Sequence, residues 1–256
     1  MKRLFFFALS LVMLASCHQR AQKAATMSAM LMSGSWVCAD VIDAIVDAKS
    51  TKALREFPPY TELSFVRDSA KLMAVNGQIE QVQLTYTGVG NKISIRECDG
   101  GEDMVLTLEN DSVMVFYDEL NNKRWQYVKA SPLLISEAHG FKEGFVNTLN
   151  YRLLSGDYAV IDLETDKRYD VMWKPNGFIY GSPNFTRYML CFSGDCMNFS
   201  TDVSLVQFFS DDNAGEFYGW TVEGGVLSLY SLRTVNQQDE MTEYVADRKL
   251  FELRKK

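Results

Sequence analysis

The sequence predicts an all-β, mainly antiparallel protein built from two tandem β-barrels with one or two short helices. One observation behind this prediction is a Leu-x-Ser-Gly-x-aromatic motif that occurs twice, at Leu31–Trp36 and at Leu153–Tyr158. Another is the long series of short alternating segments, separated by turn residues, that follows each copy and is typical of barrels and sandwiches. The two series also end alike, so we interpret the chain as an internal duplication.

The first residues predict an export signal that ends in a lipid attachment site. Lys2 and Arg3 precede an apolar run, Leu4–Leu14, which is shorter than the roughly 20 residues that a membrane-spanning helix needs. Leu14-Ala15-Ser16-Cys17 matches the bacterial lipobox, so the N-terminus resembles that of a lipoprotein precursor. This resemblance implies that residues 1–17 hold the signal and lipobox, and that Cys17 becomes the lipid-modified first residue. The alternative is a simple secretory signal that ends in cysteine.

Charge and composition restrict the partners of the exported chain. Residues 18–30 are small and polar and predict a flexible tether between the lipid and the folded body. The formal net charge is −7, and it becomes more negative when Lys2 and Arg3 leave with the signal. An acidic body is repelled by nucleic acid and by anionic headgroups. We therefore expect no nucleic-acid partner, and membrane attachment through the lipid on Cys17, in the bacterial cell envelope and most readily at the outer membrane.

The first unit, residues 31–130, begins with a strand around Trp36 and continues into an amphipathic helix. Apolar residues recur at helical spacing from Val41 to Ala48, and the helix ends before Pro58-Pro59. Together with the first strand, the alternating segments that follow make eight strands, which predicts a closed up-and-down barrel or a sandwich. These segments are Thr61–Val66, Lys71–Val75, Val82–Tyr86, Lys92–Arg96, Met104–Leu108, Ser112–Asp118 and Lys123–Lys129.

A linker, residues 131–153, leads to the second unit, residues 154–256. Glu137–Asn150 is predicted as a helix because three apolar residues, Phe141, Phe145 and Leu149, share one stripe. His139 is a lone histidine in this linker, which is typical of a surface residue rather than a ligand or base. The strands predicted for the second unit are Gly156–Leu163, Arg168–Trp173, Gly177–Tyr180, Arg187–Phe192, Val203–Phe209, Glu216–Val222, Gly225–Leu232 and Arg248–Leu253.

Gly34-Ser35-Trp36, with its helix and eight-strand meander, resembles the lipocalin-like (calycin) barrels, and together with the lipobox it is similar to small lipocalin-like lipoproteins of Bacteroidetes. Gly156-Asp157-Tyr158 is a second copy in which tyrosine replaces tryptophan. The resemblance implies that the aromatic residue closes the base of its barrel and packs under a basic residue of the last strand. The candidates for that basic residue are Arg124 or Lys129 in the first unit, and Arg248 or Arg254 in the second.

Four cysteines follow the lipobox: Cys38, Cys98, Cys191 and Cys196. Disulfides are permitted outside the cytoplasm, and four buried free thiols are the equal alternative. A Cys191–Cys196 bridge would add about 2 kcal/mol of stability and a Cys38–Cys98 bridge about 4 kcal/mol on the chain-entropy model. A zinc site is not expected, because there is no Cys-x-x-Cys and only His139 lies beyond the tether.

The sequence contains no recognisable catalytic, cofactor-binding or metal-binding motif, so we expect no enzymatic activity. There is no Gly-x-Ser-x-Gly elbow, P-loop, dinucleotide-binding glycine motif or His-Glu-x-x-His. The histidines are His18 in the tether and His139. Asp211–Glu216 lacks the ligand spacing of a calcium loop and is interpreted as a hairpin tip.

The aromatic residues, 12% of the chain, decide between two functional hypotheses. If they line a cavity, the protein is a non-catalytic binder of a small apolar or amphipathic ligand, because eight strands can just enclose one such ligand. If they fill the barrels, it is a structural module that contacts an envelope protein or a glycan. A buried carboxylate pair in a cleft would favour a third class, an enzyme. The clusters in question are Trp125/Tyr127, Trp173/Tyr180 and Phe208/Phe209/Tyr218/Trp220.

Overall fold

The computed structural model describes residues 32–54, 56–66, 69–86, 91–98, 102–135, 137–138, 141–192, 196, 199–210, 215–238 and 241–256. The signal and lipobox with Cys17, the tether with His18, the linker residue His139, and positions 211–214 lie outside the described residues. The fold is mostly antiparallel β-structure with two α-helices in the described part. Neither of these helices is long and apolar enough to cross a membrane.

Eight strands of the first unit form a closed barrel, as the alternating segments predict. Each strand pairs antiparallel with the next along the chain, and the last pairs with the first, with Trp36 opposite Lys129. The predicted closed barrel is therefore confirmed for this unit. Its strands are β1 (Gly34–Cys38), β2 (Tyr60–Val66), β3 (Ser69–Ala74), β4 (Ile79–Tyr86), β5 (Lys92–Cys98), β6 (Glu102–Asn110), β7 (Val113–Asp118) and β8 (Lys123–Lys129).

Helix α1 (Ala39–Ala48) lies between β1 and β2 and covers the barrel with its apolar face. Val41, Ile42 and Ile45 are buried in the core, which explains the helical spacing of apolar residues in the sequence. The Asp40 carboxylate accepts a hydrogen bond of 2.6 Å from the backbone N–H of Gln126 on β8. This contact holds the start of α1 against β8, just beyond the last residue pair between β1 and β8.

The linker helix α2 (Gly144–Leu153) begins later than the predicted Glu137–Asn150. A short hairpin of β9 (Glu137–Ala138) and β10 (Phe141–Lys142) precedes it, so Phe141 belongs to a strand and the predicted stripe is corrected. The helix begins where the carboxylate of Glu62, on β2, accepts the first backbone N–H groups of the helix. That cap comes from a distant strand, so local sequence does not reveal it.

The second unit forms a nine-stranded sheet in the order β13-β12-β11-β19-β18-β17-β16-β14, with β15 beside β19 in parallel. The path is not closed, so the second predicted barrel is not confirmed. The prediction also missed β15 and the extension of β18 and β19 into a long hairpin. The strands are β11 (Gly156–Asp162), β12 (Arg168–Trp173), β13 (Ile179–Tyr180), β14 (Arg187–Cys191), β15 (Phe199–Thr201), β16 (Ser204–Phe209), β17 (Glu216–Glu223), β18 (Val226–Gln238) and β19 (Met241–Lys255).

The two edge strands, β13 and β14, meet at a single bridge between Phe178 and Arg187. The backbone N–H of Tyr188 donates to the carbonyl of Gly177 at 2.7 Å beside this bridge. A side chain at Gly177, which has φ of +82°, would lie 2.7 Å from the Tyr188 carbonyl oxygen, so the close approach requires glycine. Apart from β15, neighbouring strands therefore follow one another in chain order as in the first barrel, but one bridge and no ladder joins β13, which is only two residues long, to β14 in the described structure.

The two copies of the repeated motif make the same local contact. The indole N–H of Trp36 donates to the carbonyl of Met32 at 2.8 Å, and the hydroxyl of Tyr158 donates to the carbonyl of Leu154 at 2.5 Å. In both cases the acceptor lies four residues earlier in the chain. The aromatic side chain thus ties the start of each unit to the segment before it.

A lysine of the last strand lies over each of these aromatic rings. Lys129 Nζ is 5.2 Å from the ring centroid of Trp36, and Lys255 Nζ is 5.9 Å from that of Tyr158. Lys129 was one of the two candidates for the first unit. Both candidates for the second unit were wrong, because Lys255 lies directly opposite Tyr158 and shares its face of the sheet, whereas neighbouring Arg254 faces the other side.

Candidate functional site

The inner face of the second sheet carries a small apolar cavity of about 20 Å³ that is partly open to solvent. Its lining comes from strands across the whole sheet, including Val160 on β11, Trp173 on β12, Phe208 on β16 and Phe251 on β19. Strands that are far apart in the sheet order therefore face one common interior. A space of this size is about that of one water molecule, so the interior is nearly filled.

Aromatic rings dominate this interior and are packed around Trp173. The Trp173 ring centroid lies 5.8 Å from Tyr158, 4.8 Å from Tyr188 and 5.4 Å from Phe208. The contacts to Tyr158 and Phe208 are edge-on, the arrangement that aromatic quadrupoles favour. We call these four residues, together with Phe185 and Tyr218, the aromatic cluster.

Phe185 enters the aromatic cluster from the loop 181–186, which joins β13 to β14. Its ring stacks on Phe208 with centroids 4.7 Å apart and planes at 26°, and it meets Tyr218 edge-on at 5.6 Å. The Ser182 hydroxyl oxygen accepts the backbone N–H groups of Asn184 and Phe185 at 3.3 Å and 3.1 Å. These bonds hold the loop in the turn that directs Phe185 inward.

The polar groups of the cluster stay uncharged at neutral pH. Burial raises the pKa of Tyr158 to about 12 and the pKa of Tyr188 further above its usual value. The pKa of Tyr218 is also raised, first by burial and then by the nearby carboxylate of Glu216. Tyr188 donates its hydroxyl proton to the carbonyl of Lys174 at 2.9 Å. The interior thus presents neutral rings rather than charges, and its chemistry suits an uncharged apolar ligand.

The first barrel offers a different arrangement, because large, fully buried side chains pack inside it. Trp36, Leu63, Ile93 and Tyr127 are among the fully buried side chains that pack inside it. An open groove of about 290 Å³ lies at one end, where β6, β7 and the β7–β8 turn meet. Apolar side chains and three carboxylates share its lining, but the Asp118 carboxylate is already engaged by the backbone and side-chain amides of the turn.

Glu62 is a fully buried carboxylate at the junction of the first barrel and α2. Its Oε1 accepts the N–H of Gly144 at 3.1 Å and the hydroxyl of Ser35, and its Oε2 accepts the N–H of Phe145 at 2.7 Å. Burial raises its pKa to about 7, although the three hydrogen bonds favour the ionised form. Because both oxygens cap the helix, we assign Glu62 a structural role.

The cysteines do not form a reactive centre among the described residues. Cys191 and Cys196 form a disulfide across a short loop. Cys38 is a buried free thiol, so the Cys38–Cys98 bridge is not formed, and burial raises the Cys38 pKa to about 12. The side chain of Cys98 lies outside the described residues. No group of three or more metal-ligating side chains occurs in the described part of the chain.

The structure separates the aromatic residues that the sequence grouped together. Trp173, Phe208 and Tyr218 belong to the cluster, whereas Tyr180 is exposed and Phe209 lies against Arg187. The residues in the cluster that the sequence analysis missed are Phe185 and Tyr188. Trp125 and Tyr127 are buried in the first barrel, and Trp220 is buried with its indole N–H donating to Leu205.

Tyr188 had a signal in the sequence, since it alternates with exposed neighbours on β14. Phe185 had none, because it follows a serine-proline-asparagine turn outside any alternating segment.

Comparison with known proteins found no matching protein family, no matching curated protein and no matching solved structure.

Proposed function

We propose that this protein is a non-catalytic, lipid-anchored lipoprotein of the bacterial cell envelope that binds a small apolar ligand inside its second unit. The observation that carries the proposal is the aromatic cluster with its residual cavity. Apolar and aromatic walls with few polar groups are the usual lining of small-molecule sites. The first barrel is the weaker candidate, because its groove lies at one end of the barrel and has three carboxylates in its lining, whereas the cavity of the second unit is lined by apolar and aromatic side chains.

The proposal includes a lipocalin-like closure of the second sheet across the Phe178–Arg187 bridge. Three features support it: the strand order matches that of the first barrel, one cavity is lined from strands across the sheet, and both units share the aromatic-lysine contact. Closure would shield the interior from solvent except at the strand ends.

Lipid attachment at Cys17 is supported by the lipobox and tested by metabolic labelling with an alkyne analogue of palmitate. The wild-type chain is expected to carry the label and to sediment with membranes. Cys17→Ser is expected to lose both properties, because the thiol that receives the lipid is gone. Cys38→Ser is the matched control and should keep the label. A labelled, membrane-bound Cys17→Ser chain would contradict the assignment.

Ligand binding is tested by native mass spectrometry of the mature chain, purified from membranes in detergent and exposed to a lipid and metabolite extract of its host. We expect a retained adduct in addition to the covalent lipid. Trp173→Ala, in the cluster, should lose it, and Trp125→Ala, in the first barrel, should keep it. A folded protein that retains nothing would contradict the binding function.

A second candidate function is an interaction module, and an exposed apolar patch favours it. Met172, Phe178, Tyr180 and Met189 lie near the Phe178–Arg187 bridge and are 37%, 44%, 56% and 44% exposed. Exposed aromatic and methionine side chains are typical of protein contact surfaces. A photo-crosslinking residue at position 180 should capture an envelope partner if this candidate is right, and one at exposed Leu133 serves as the control.

A further inference from the structure

We propose, on the basis of the binding function above, that Phe185 occupies the position of the ligand and that the ligand is a flat, uncharged aromatic ring. The ligand displaces the Phe185 ring and stacks on Phe208 in its place. Ligand binding then requires rotation of one loop side chain, while the strands stay where they are.

Two aromatic rings surround Phe185 in a geometry that suits a planar group. The Phe208 ring offers a flat face on one side, and the Tyr218 ring offers an edge at 5.6 Å from the other direction. Phe208 itself is fixed from behind by the edge-on contact with Trp173 at 5.4 Å. These rings define a slot whose shape fits a planar group, and stacked or edge-on ring pairs gain about 0.5–1.5 kcal/mol beyond burial.

Phe185 is less buried than the walls of the slot. Phe208 is 1% exposed and Trp173 is 3% exposed, whereas Phe185 is only partly buried. Phe185 is also the only one of these three that stands on a loop rather than a strand. A partly exposed ring on a loop can leave its place without breaking any strand pairing.

The Phe185 ring would release space for a ligand if it left the slot. The cavity beside the ring is about 20 Å³, too small for an organic ligand. Departure of the ring adds the volume of a phenyl group to the existing cavity, so the combined space holds a planar ring somewhat larger than benzene. The Ser182 hydroxyl also lines this space and offers a polar contact to a ring that carries a donor or an acceptor.

The residues that line the cavity are uncharged. They are aliphatic or aromatic apart from Ser182, and the phenols of the neighbouring Tyr158, Tyr188 and Tyr218 stay protonated at neutral pH. A charged ligand would lose its hydration here without gaining a counter-ion. The ligand class is therefore a neutral planar ring, such as a substituted benzene or an indole.

The test is a ¹⁹F NMR titration of the mature detergent-solubilised protein with 5-fluoroindole as the planar probe and fluorocyclohexane as the non-planar control. The wild-type chain should bind 5-fluoroindole and bind fluorocyclohexane at least about tenfold more weakly. Phe185→Ala should bind 5-fluoroindole about tenfold more tightly or better, because a site that its own side chain occupies has a reduced apparent affinity.

Phe208→Leu removes the stacking face and should weaken 5-fluoroindole binding at least about tenfold. Phe209→Leu is its matched control, since it changes the next residue of β16 on the other face of the sheet. Nuclear Overhauser contacts should join the probe to Phe208 ring protons. If Phe185→Ala does not fold, Phe185→Leu replaces it, and the Phe208→Leu and Phe209→Leu pair still tests the slot.

Three results would overturn the inference: binding by Phe185→Ala but none by wild type, equal effects of Phe208→Leu and Phe209→Leu, or no binding by any folded variant. The first would make Phe185 a permanent part of the core. A failure of this inference is distinguishable from a failure of the binding function. If the host extract still yields an adduct that Trp173→Ala abolishes, the binding function stands with a different ligand class.

Discussion

Glu62 should make the stability of this protein fall as the pH rises from about 4.5 to 7. Burial raises the pKa of this carboxyl from 4.5 to about 7 in the folded protein. Between these two values the folded chain holds a proton that the unfolded chain releases. The proton therefore stabilises the fold fully below pH 4.5, and this contribution disappears as the pH passes 7.

The magnitude follows from the two pKa values. Each pH unit across that interval costs about 1.36 kcal/mol, so the free energy of unfolding should fall by about 3 kcal/mol between pH 4.5 and pH 8 on account of Glu62. Glu62→Gln cannot ionise and removes this dependence. It also loses part of the cap on α2, but that loss is the same at every pH.

Urea denaturation of the wild type and of Glu62→Gln at pH 4.5, 6 and 8 measures this effect. The stability of the variant relative to the wild type should rise by about 3 kcal/mol from pH 4.5 to pH 8. Glu119→Gln removes an exposed carboxylate of the same barrel and controls for the loss of one charge. If the relative stability of Glu62→Gln were the same at pH 4.5 and pH 8, the assignment of a buried, proton-holding cap would be refuted.

Three further predictions follow from the packing. Gly144→Ala should destabilise the fold by about 1–3 kcal/mol in thermal melts, because the added methyl would lie 3.0–3.2 Å from three neighbouring side-chain atoms. Thr148→Ala, one turn later, is the control. An unchanged melting temperature for Gly144→Ala would contradict this packing. Tyr158→Phe should lower the free energy of unfolding, measured by urea denaturation, by about 1–3 kcal/mol, because it leaves the Leu154 carbonyl without its hydroxyl donor. Tyr180→Phe, on an exposed ring, should change the free energy of unfolding little. Equal losses of stability in the two variants would argue against the shared motif contact. Cys38 should resist iodoacetamide at pH 8 in the folded protein and react fully in denaturant, because the thiol is buried and its pKa is raised to about 12. Peptide mass spectrometry measures the modification of Cys38. Rapid labelling of the native chain would contradict this burial.

The sequence predicted the first barrel well because its signals are local. Strands with one face in the core and one in solvent produce alternation, and β3 and β8 show it. β2 does not follow this rule, since its residues from Tyr60 to Phe65 are all buried. In the sequence, Glu62 is an ordinary acid on the outer face of a strand. In the folded chain α2 covers that face, so Glu62 is buried and caps the helix.

The second unit was predicted less well because its details depend on register and on long-range pairing. The lysine over Tyr158 is the residue directly opposite it on β19, and a shift of one residue would have placed Arg254 there. The long hairpin of β18 and β19 contains register shifts that the turn residues in the sequence do not predict. Similarly, no local pattern placed Phe185 in the aromatic cluster, because a loop side chain meets its partner only when distant strands have paired.

The sequence alone determined the β class, the duplicated first-strand motif, the strands of the first barrel and the helix after β1. Periodicity, turn residues and short motifs act within a few residues of one another, so they can be read without a fold. Only the tertiary structure decided which aromatic rings share an interior, that Phe185 stacks on Phe208, and that Glu62 caps a helix 82 residues away. These contacts join residues far apart in the chain, and their burial follows from packing rather than from any local preference.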